Sequence, residues 1–270
     1  MPAEPSTDIA DFSREDFQFD GLTKTVLKIG EGGPAIIVIH EIFGFTPKLA
    51  RFCRWLRDAG FSVYAPILVG KPDATNVDKA TPGVLFPRIA HLCVSREFTI
   101  FAQNKSSPIV EWLKPLARAL HARHGAKGVG VIGMCLTGGF ALNMAVDPSV
   151  MAPVMSQPSM PPRHPGGVDA SPEEIAAVRR RIDEEGLKIK AYRFEGDLGC
   201  TAPRFETLSR LLGDGFMGVV LSDDWANPKG MKALGRPPHS VFTNDLIDEP
   251  FQPTRQMVDD LIGFYRERLL

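Results

Sequence analysis

Gly128-Val129-Gly130-Val131-Ile132-Gly133-Met134-Cys135-Leu136-Thr137-Gly138-Gly139-Phe140-Ala141-Leu142 is the stretch on which the reading of this 270-residue chain turns. Val129 to Ile132 is a short apolar, β-branched run of the kind that makes a buried strand. A tight turn of small residues follows, with Cys135 at its apex. From Gly138 the residues favour helix until Asp147-Pro148 stops it. Strand, sharp turn and helix with a nucleophile at the tip make a nucleophile elbow, with sulfur here in place of the usual hydroxyl. Gly133, two residues before Cys135, suits a place where strand and helix pass close together. Such a turn forces its central residue into strained φ/ψ and presents the side chain at the end of the strand. Taken alone, the segment also reads as a buried cysteine beside a glycine-rich turn, because free cysteine is among the most buried residue types.

Working outward, composition narrows the alternatives. The chain is 44% hydrophobic with a formal net charge of -1, enough for one large α/β domain over residues 1–270. No strongly basic half supports a nucleic-acid or anionic-membrane partner. No apolar run approaches the roughly 20 residues of a membrane span. The first residues, Met1-Pro2-Ala3-Glu4-Pro5-Ser6-Thr7-Asp8, are polar and acidic and do not read as a secretory signal. Cys53, Cys93, Cys135 and Cys200 form no CxxC pair, so reduced thiols in a cytoplasmic protein are expected, with no metal site and no cofactor.

Along the chain, strands and helices alternate. Residues 1–20 read as a loose lead-in with a turn of helix near Ser13. Thr23–Ile29 alternates like a half-buried strand, and Ala35–Ile39 is a continuous apolar strand that runs into His40-Glu41-Ile42. Thr46-Pro47 opens a helix with an N-cap and proline at its first position. A strand at 61–66 follows, then loop, a helix over 87–103, and a helix from Ser107-Pro108 that Pro115 should kink or loosen by one hydrogen bond. Beyond the elbow come a strand at 150–155 and a Pro/Gly-rich loop. Ser171-Pro172-Glu173-Glu174 then starts a helix, and residues 156–186 could form a cap or loop insertion. A strand at 188–194, a helix at 203–212, a strand at 216–222 and a helix at 254–269 complete the pattern. This alternation argues a doubly wound, mostly parallel sheet flanked by helices.

In such sheets the chemistry lies beyond the carboxyl ends of the strands. Those ends carry Cys135, His40-Glu41, Glu195-Gly196-Asp197 and, after a long loop, Arg236-Pro237-Pro238-His239. The chain order nucleophile, acid, base is that of α/β-hydrolases and differs from the chymotrypsin and subtilisin orders. Asp223, Asp224 and Glu195 compete for the acid role, and His40, His91, His121, His124 and His164 for the base. His121 and His124 close a helix, where a cation is favoured in any case.

Gly133-Met134-Cys135-Leu136, His40-Glu41-Ile42-Phe43-Gly44, Asp197 and His239 together resemble the dienelactone hydrolase (carboxymethylenebutenolidase) family of the α/β-hydrolase superfamily, over roughly residues 20–268. The resemblance implies the α/β-hydrolase fold and a hydrolase that cleaves a carboxylic ester or lactone through an acyl-cysteine intermediate. Carried over, it implies Cys135, Asp197 and His239 as the triad and Glu41 as a glutamate that contacts the resting thiol and modulates it. It further implies the backbone N–H groups of Ile42 and Leu136 as the oxyanion hole. Arg88 or Arg96 could hold a substrate carboxylate, and His164 could touch substrate. Two departures stand out. Thr137 occupies the position where the common elbow has glycine, which suggests a slightly looser crossing. Ser240-Val241-Phe242-Thr243-Asn244 follows His239 without the arginine that grips the carboxylate in relatives acting on muconolactone-type substrates. The alternatives are an acyltransferase or thioesterase of the same fold, or a binding descendant without catalysis; oligomeric state is open.

Overall fold

The computed structural model describes residues 5–73, 107–160 and 164–270. Arg88, Arg96, His91, Cys93 and the helix expected over 87–103 lie outside these residues. Eight described strands form one sheet: β1 (Ser13–Phe19), β2 (Leu22–Ile29), β3 (Ala35–Ile39), β4 (Ser62–Pro66), β5 (Val129–Met134), β6 (Val150–Ser156), β7 (Ile189–Phe194) and β8 (Phe216–Leu221). Their order is β1-β2-β4-β3-β5-β6-β7-β8. β1 with β2 and β2 with β4 are antiparallel, and every later neighbour is parallel. The helices are α1 (Pro47–Asp58), α2 (Ile109–His124), α3 (Gly138–Met144), α4 (Pro172–Glu185), α5 (Ala202–Leu212) and α6 (Pro253–Leu269). This is the α/β-hydrolase fold.

Strand residues alternate between two buried layers, as period-2 geometry requires. Ile37, Ile39, Val129 and Val131 face α2, α3, α4 and α5 in one layer. Ile36, Val38, Ile132 and Met134 face α1 and α6 in the other. Both faces of the central strands are therefore dry, which is why they read as unbroken apolar runs. The helix starts follow their capping signals. Thr46 Oγ1 accepts from Leu49 N (3.3 Å) at α1. Ser171 and Glu174 exchange bonds of 3.2 and 2.8 Å at α4, which carries the chain from β6 to β7.

One local expectation changes. Ser13 opens a strand, not a turn of helix, because Asp20 (φ 48°) and Gly21 (φ 74°) make a two-residue hairpin that pairs Phe19 with Leu22. Phe17 then packs edge-on against Trp112, a long-range contact that local propensity does not show. Pro115 sits inside α2 without breaking it, since Trp112, Leu113 and Leu116 around it are buried against the sheet. No helix among the described residues is long and apolar enough to cross a membrane.

Candidate active site

The order β4-β3-β5 places the reversal of winding between β3 and β5, and this is where α/β sheets open a crevice beyond the strand ends. Ile39 is in register with Gly133 across that pair, so the chain after β3 lies beside the turn after β5. Cys135 has φ 59°, a left-handed conformation that a non-glycine residue rarely adopts and that functional turns retain. Its side chain is half-buried. The turn closes tightly enough that a Cβ at position 133 would overlap the Thr137 carbonyl oxygen, so glycine is required there.

Thr137 tightens the crossing instead of loosening it. Its hydroxyl oxygen accepts from Met134 N (3.0 Å) and lies 2.9, 3.1 and 3.2 Å from the carbonyl oxygens of Met134, His40 and Ile39. A side chain that glycine could not supply thus ties the elbow to the end of β3. Gly138 and Gly139 then allow close approach of Pro158 and the Asp169 carboxylate, respectively.

Asp197 follows β7 and His239 follows β8 in the chain, and the two side chains meet. His239 Nδ1 is 2.8 Å from each Asp197 carboxylate oxygen, and Asp197 Oδ1 also accepts from Gly199 N (2.8 Å) and Cys200 N (3.1 Å). Burial alone would lower the basicity of His239, but the Asp197 carboxylate and the Cys135 sulfur outweigh it and hold its pKa well above the ordinary histidine value. The rival acids have other work. Asp223 Oδ1 accepts from Gly196 N at 2.9 Å, bracing the acid turn, and Glu195 is exposed. Both ring nitrogens of His40 are engaged elsewhere: Nε2 accepts from Leu68 N (2.9 Å) and Nδ1 pairs with Glu41 O (2.7 Å). His121 contacts Ala126 O (3.0 Å) and His124 contacts Tyr64 OH (2.9 Å). His164 is exposed, with its backbone carbonyl accepting from Gly167 N (2.9 Å).

Glu41 is buried after β3, and its carboxylate accepts from Gln157 Nε2 (2.6 Å) and Thr243 Oγ1 (3.2 Å). Burial raises its pKa, opposed by the charge of His239 and by hydrogen bonds from Ser240 and Thr243. Three further residues of the site escaped sequence reading. Gln157, at φ 32°, donates to Glu41 and accepts from Val241 N (3.3 Å), linking the acid to the histidine loop. Asp245, fully buried, accepts from His239 N (2.8 Å), Ser240 N (2.9 Å) and Met231 N (2.7 Å) and so fixes that loop. Ser159 Oγ is 3.7 Å from Cys135 Sγ and 3.4 Å from His239 Nε2. The only signal for Gln157 and Ser159 is their place just past β6; Asp245 gives none beyond its Thr243-Asn244 context.

Known proteins share this arrangement of chain. A sequence profile of the dienelactone hydrolase family matches residues 23–176, which includes Glu41 and the whole elbow. Carboxymethylenebutenolidase 1 of Cupriavidus pinatubonensis is 33% identical over 116 residues, covering 43% of this chain and 46% of that protein; the match thus spans less than half of either chain. A dienelactone hydrolase-like promiscuous phosphotriesterase from metagenomic libraries superposes with a TM-score of 0.62 at 14% identity, over 96% of this chain and 98% of that one. A putative dienelactone hydrolase from Klebsiella pneumoniae subsp. pneumoniae gives 0.59 at 17% identity, over 93% and 98%. The superpositions carry the fold, and the profile match, running from β2 through the elbow into α4, carries the kinship: the chain belongs to the dienelactone hydrolase family.

Proposed function

We propose that the protein hydrolyses a carboxylic ester or lactone, with Cys135 as nucleophile, His239 as base and Asp197 as the group that orients His239. The observation that carries this reading is the paired 2.8 Å contact of His239 Nδ1 with both Asp197 oxygens, beside a cysteine held at φ 59°. Asp197 holds the proton on Nδ1, which leaves Nε2 free to take the thiol proton and stabilises the imidazolium that forms. The thiolate then attacks the carbonyl carbon, and the carbonyl electrons move onto oxygen. Backbone N–H groups of Leu136 and Ile42 receive that oxyanion, and each such donor typically contributes about 10²–10³ in rate. Collapse expels the alkoxide, which takes the proton from Nε2 and leaves an acyl-cysteine. Water, giving a proton to His239, attacks the acyl carbon; the C–S bond then breaks, releasing the carboxylic acid and the Cys135 thiolate, which regains the proton from His239.

Glu41 acts on this cycle through His239 and through the Gln157–Val241 link. The free thiols of Cys53, Cys135 and Cys200 suit a reducing compartment, which favours the cytoplasm. A small activated ester and a dienelactone, each offered to wild type and Cys135→Ala, test the proposal. We expect turnover to fall by about 10³-fold or more in the variant. Equal turnover by both proteins on every ester tried would sink it.

A further inference from the structure

Ser159 lies just beyond β6, 7% exposed, where three polar groups converge on its hydroxyl. Its oxygen is 3.1 Å from Gln157 O, 3.4 Å from His239 Nε2 and 3.7 Å from Cys135 Sγ. Its backbone N–H donates to Cys135 O at 2.9 Å, so the serine is tied to the residue it faces. Gly199 closes the other side: a Cβ there would come within 3.0 Å of Ser159 Oγ and 3.2 Å of His239 Cε1. Two of the groups around the hydroxyl come from residues with left-handed backbone, Cys135 at φ 59° and Gln157 at φ 32°. Strained conformations persist only where surrounding structure enforces them, and they cluster at working sites.

A serine hydroxyl has one proton to donate and two lone pairs with which to accept. With the thiol protonated, the shortest contact assigns that proton to Gln157 O. Once Sγ has given its proton to His239, the balance changes: the sulfur is an anion and Nε2 carries a hydrogen. From this geometry we infer that Ser159 is a further catalytic residue, whose hydroxyl swings from Gln157 O to donate to the Cys135 thiolate while accepting from the His239 imidazolium. This inference rests on the hydrolase reading above. No covalent bond changes at serine; the proton lost by sulfur is the one gained by Nε2, and sulfur keeps the electron pair. A charge-assisted bond is roughly twice as strong as a neutral one, so the swing favours the ion pair over the neutral pair. Contacts of 3.4 and 3.7 Å are long for the resting state, as catalytic contacts before substrate arrives often are. Among the described residues, ionisable groups around the pair include Asp197, Glu41, Asp245 and Cys200.

Alkylation of Cys135 by iodoacetamide, followed by mass spectrometry across pH, tests this without any knowledge of the substrate. Ser159→Ala is expected to slow alkylation at neutral pH about tenfold and to move the midpoint of its pH profile upward. Ser159→Thr, which keeps the hydroxyl, should restore most of the rate. An alanine variant that alkylates like wild type would overturn the inference, and so would a threonine variant as slow as the alanine. If the alanine protein does not fold, Ser159→Thr against Ser159→Val makes the same comparison at equal volume, and equal rates there would overturn the inference. Serine-dependent alkylation without ester turnover would fault the hydrolase reading alone. Ordinary turnover with serine-independent alkylation would fault only the role given to Ser159.

Discussion

Two cysteine-bearing turns lie at the same end of the sheet and differ in almost everything that governs a thiol. Cys135 follows β5 directly, at φ 59° and half-buried, with Ser159 Oγ 3.7 Å from its sulfur and His239 beside it. Cys200 follows β7 by a short turn and is fully buried, and its backbone N–H donates to Asp197. Burial, reinforced by the Asp197 charge, pushes the Cys200 thiol up to about 12. The same carboxylate raises the Cys200 thiol by direct repulsion and, on the hydrolase reading proposed above, supports Cys135 by holding the imidazole that accepts its proton. The two thiols share a residue type and differ in the direction in which the backbone aims the sulfur and in the group it then meets, which are what govern thiol reactivity.

The sharpest way to break this contrast is to compare the two thiols directly. At pH 7 the Cys200 peptide should alkylate at least about 10³-fold more slowly than an ordinary exposed thiol, and Cys135 should outpace it. Peptide mapping after a short iodoacetamide pulse reads both, and comparable labelling would erase the distinction. Next in size is Gly133→Ala, which drives a methyl group into the Thr137 carbonyl. We expect it to cost about 3 kcal/mol or more of unfolding free energy, measured in urea, because neither backbone segment can yield cheaply. A neutral substitution would mean that the Cys135 turn is not held by this contact.

The smallest effect concerns Glu41, whose buried carboxylate is held above its ordinary pKa as Cys200 is. In the unfolded chain this group ionises near pH ~4.3, so above that pH the unfolded state gains stability that the folded state does not. Glu41→Gln removes this cost and is expected to stabilise the protein by about 1 kcal/mol near pH 8, a gain that fades as pH falls toward 4. Thermal melts across that range check it. A gain that grew on acidification would reverse the sign of the argument.

The elbow could be read from one sequence window because each of its requirements is local: an apolar run, a glycine for the close crossing, a cysteine at the apex and helix formers after it. The capped starts of α1 and α4 were legible for the same reason. Reading failed where a distant partner decides. Ser13–Phe19 pairs with β2 and packs on Trp112, which overrides the local helical signal.

What this sequence determines by itself is the alternation of strands and helices, a cysteine at a tight turn and the order of an aspartate and a histidine behind it. These follow from hydrophobic periodicity and turn chemistry over a few residues. Only the tertiary structure decides which of several histidines and carboxylates meet. It engages His40 with backbone amides, gives His239 to Asp197, turns Glu41 toward Gln157, and sets Ser159 against the sulfur. Hydrogen bonds act over about 3 Å, whereas the residues that make them here lie scores of positions apart, so their pairing exists only once the sheet has brought the strand ends together.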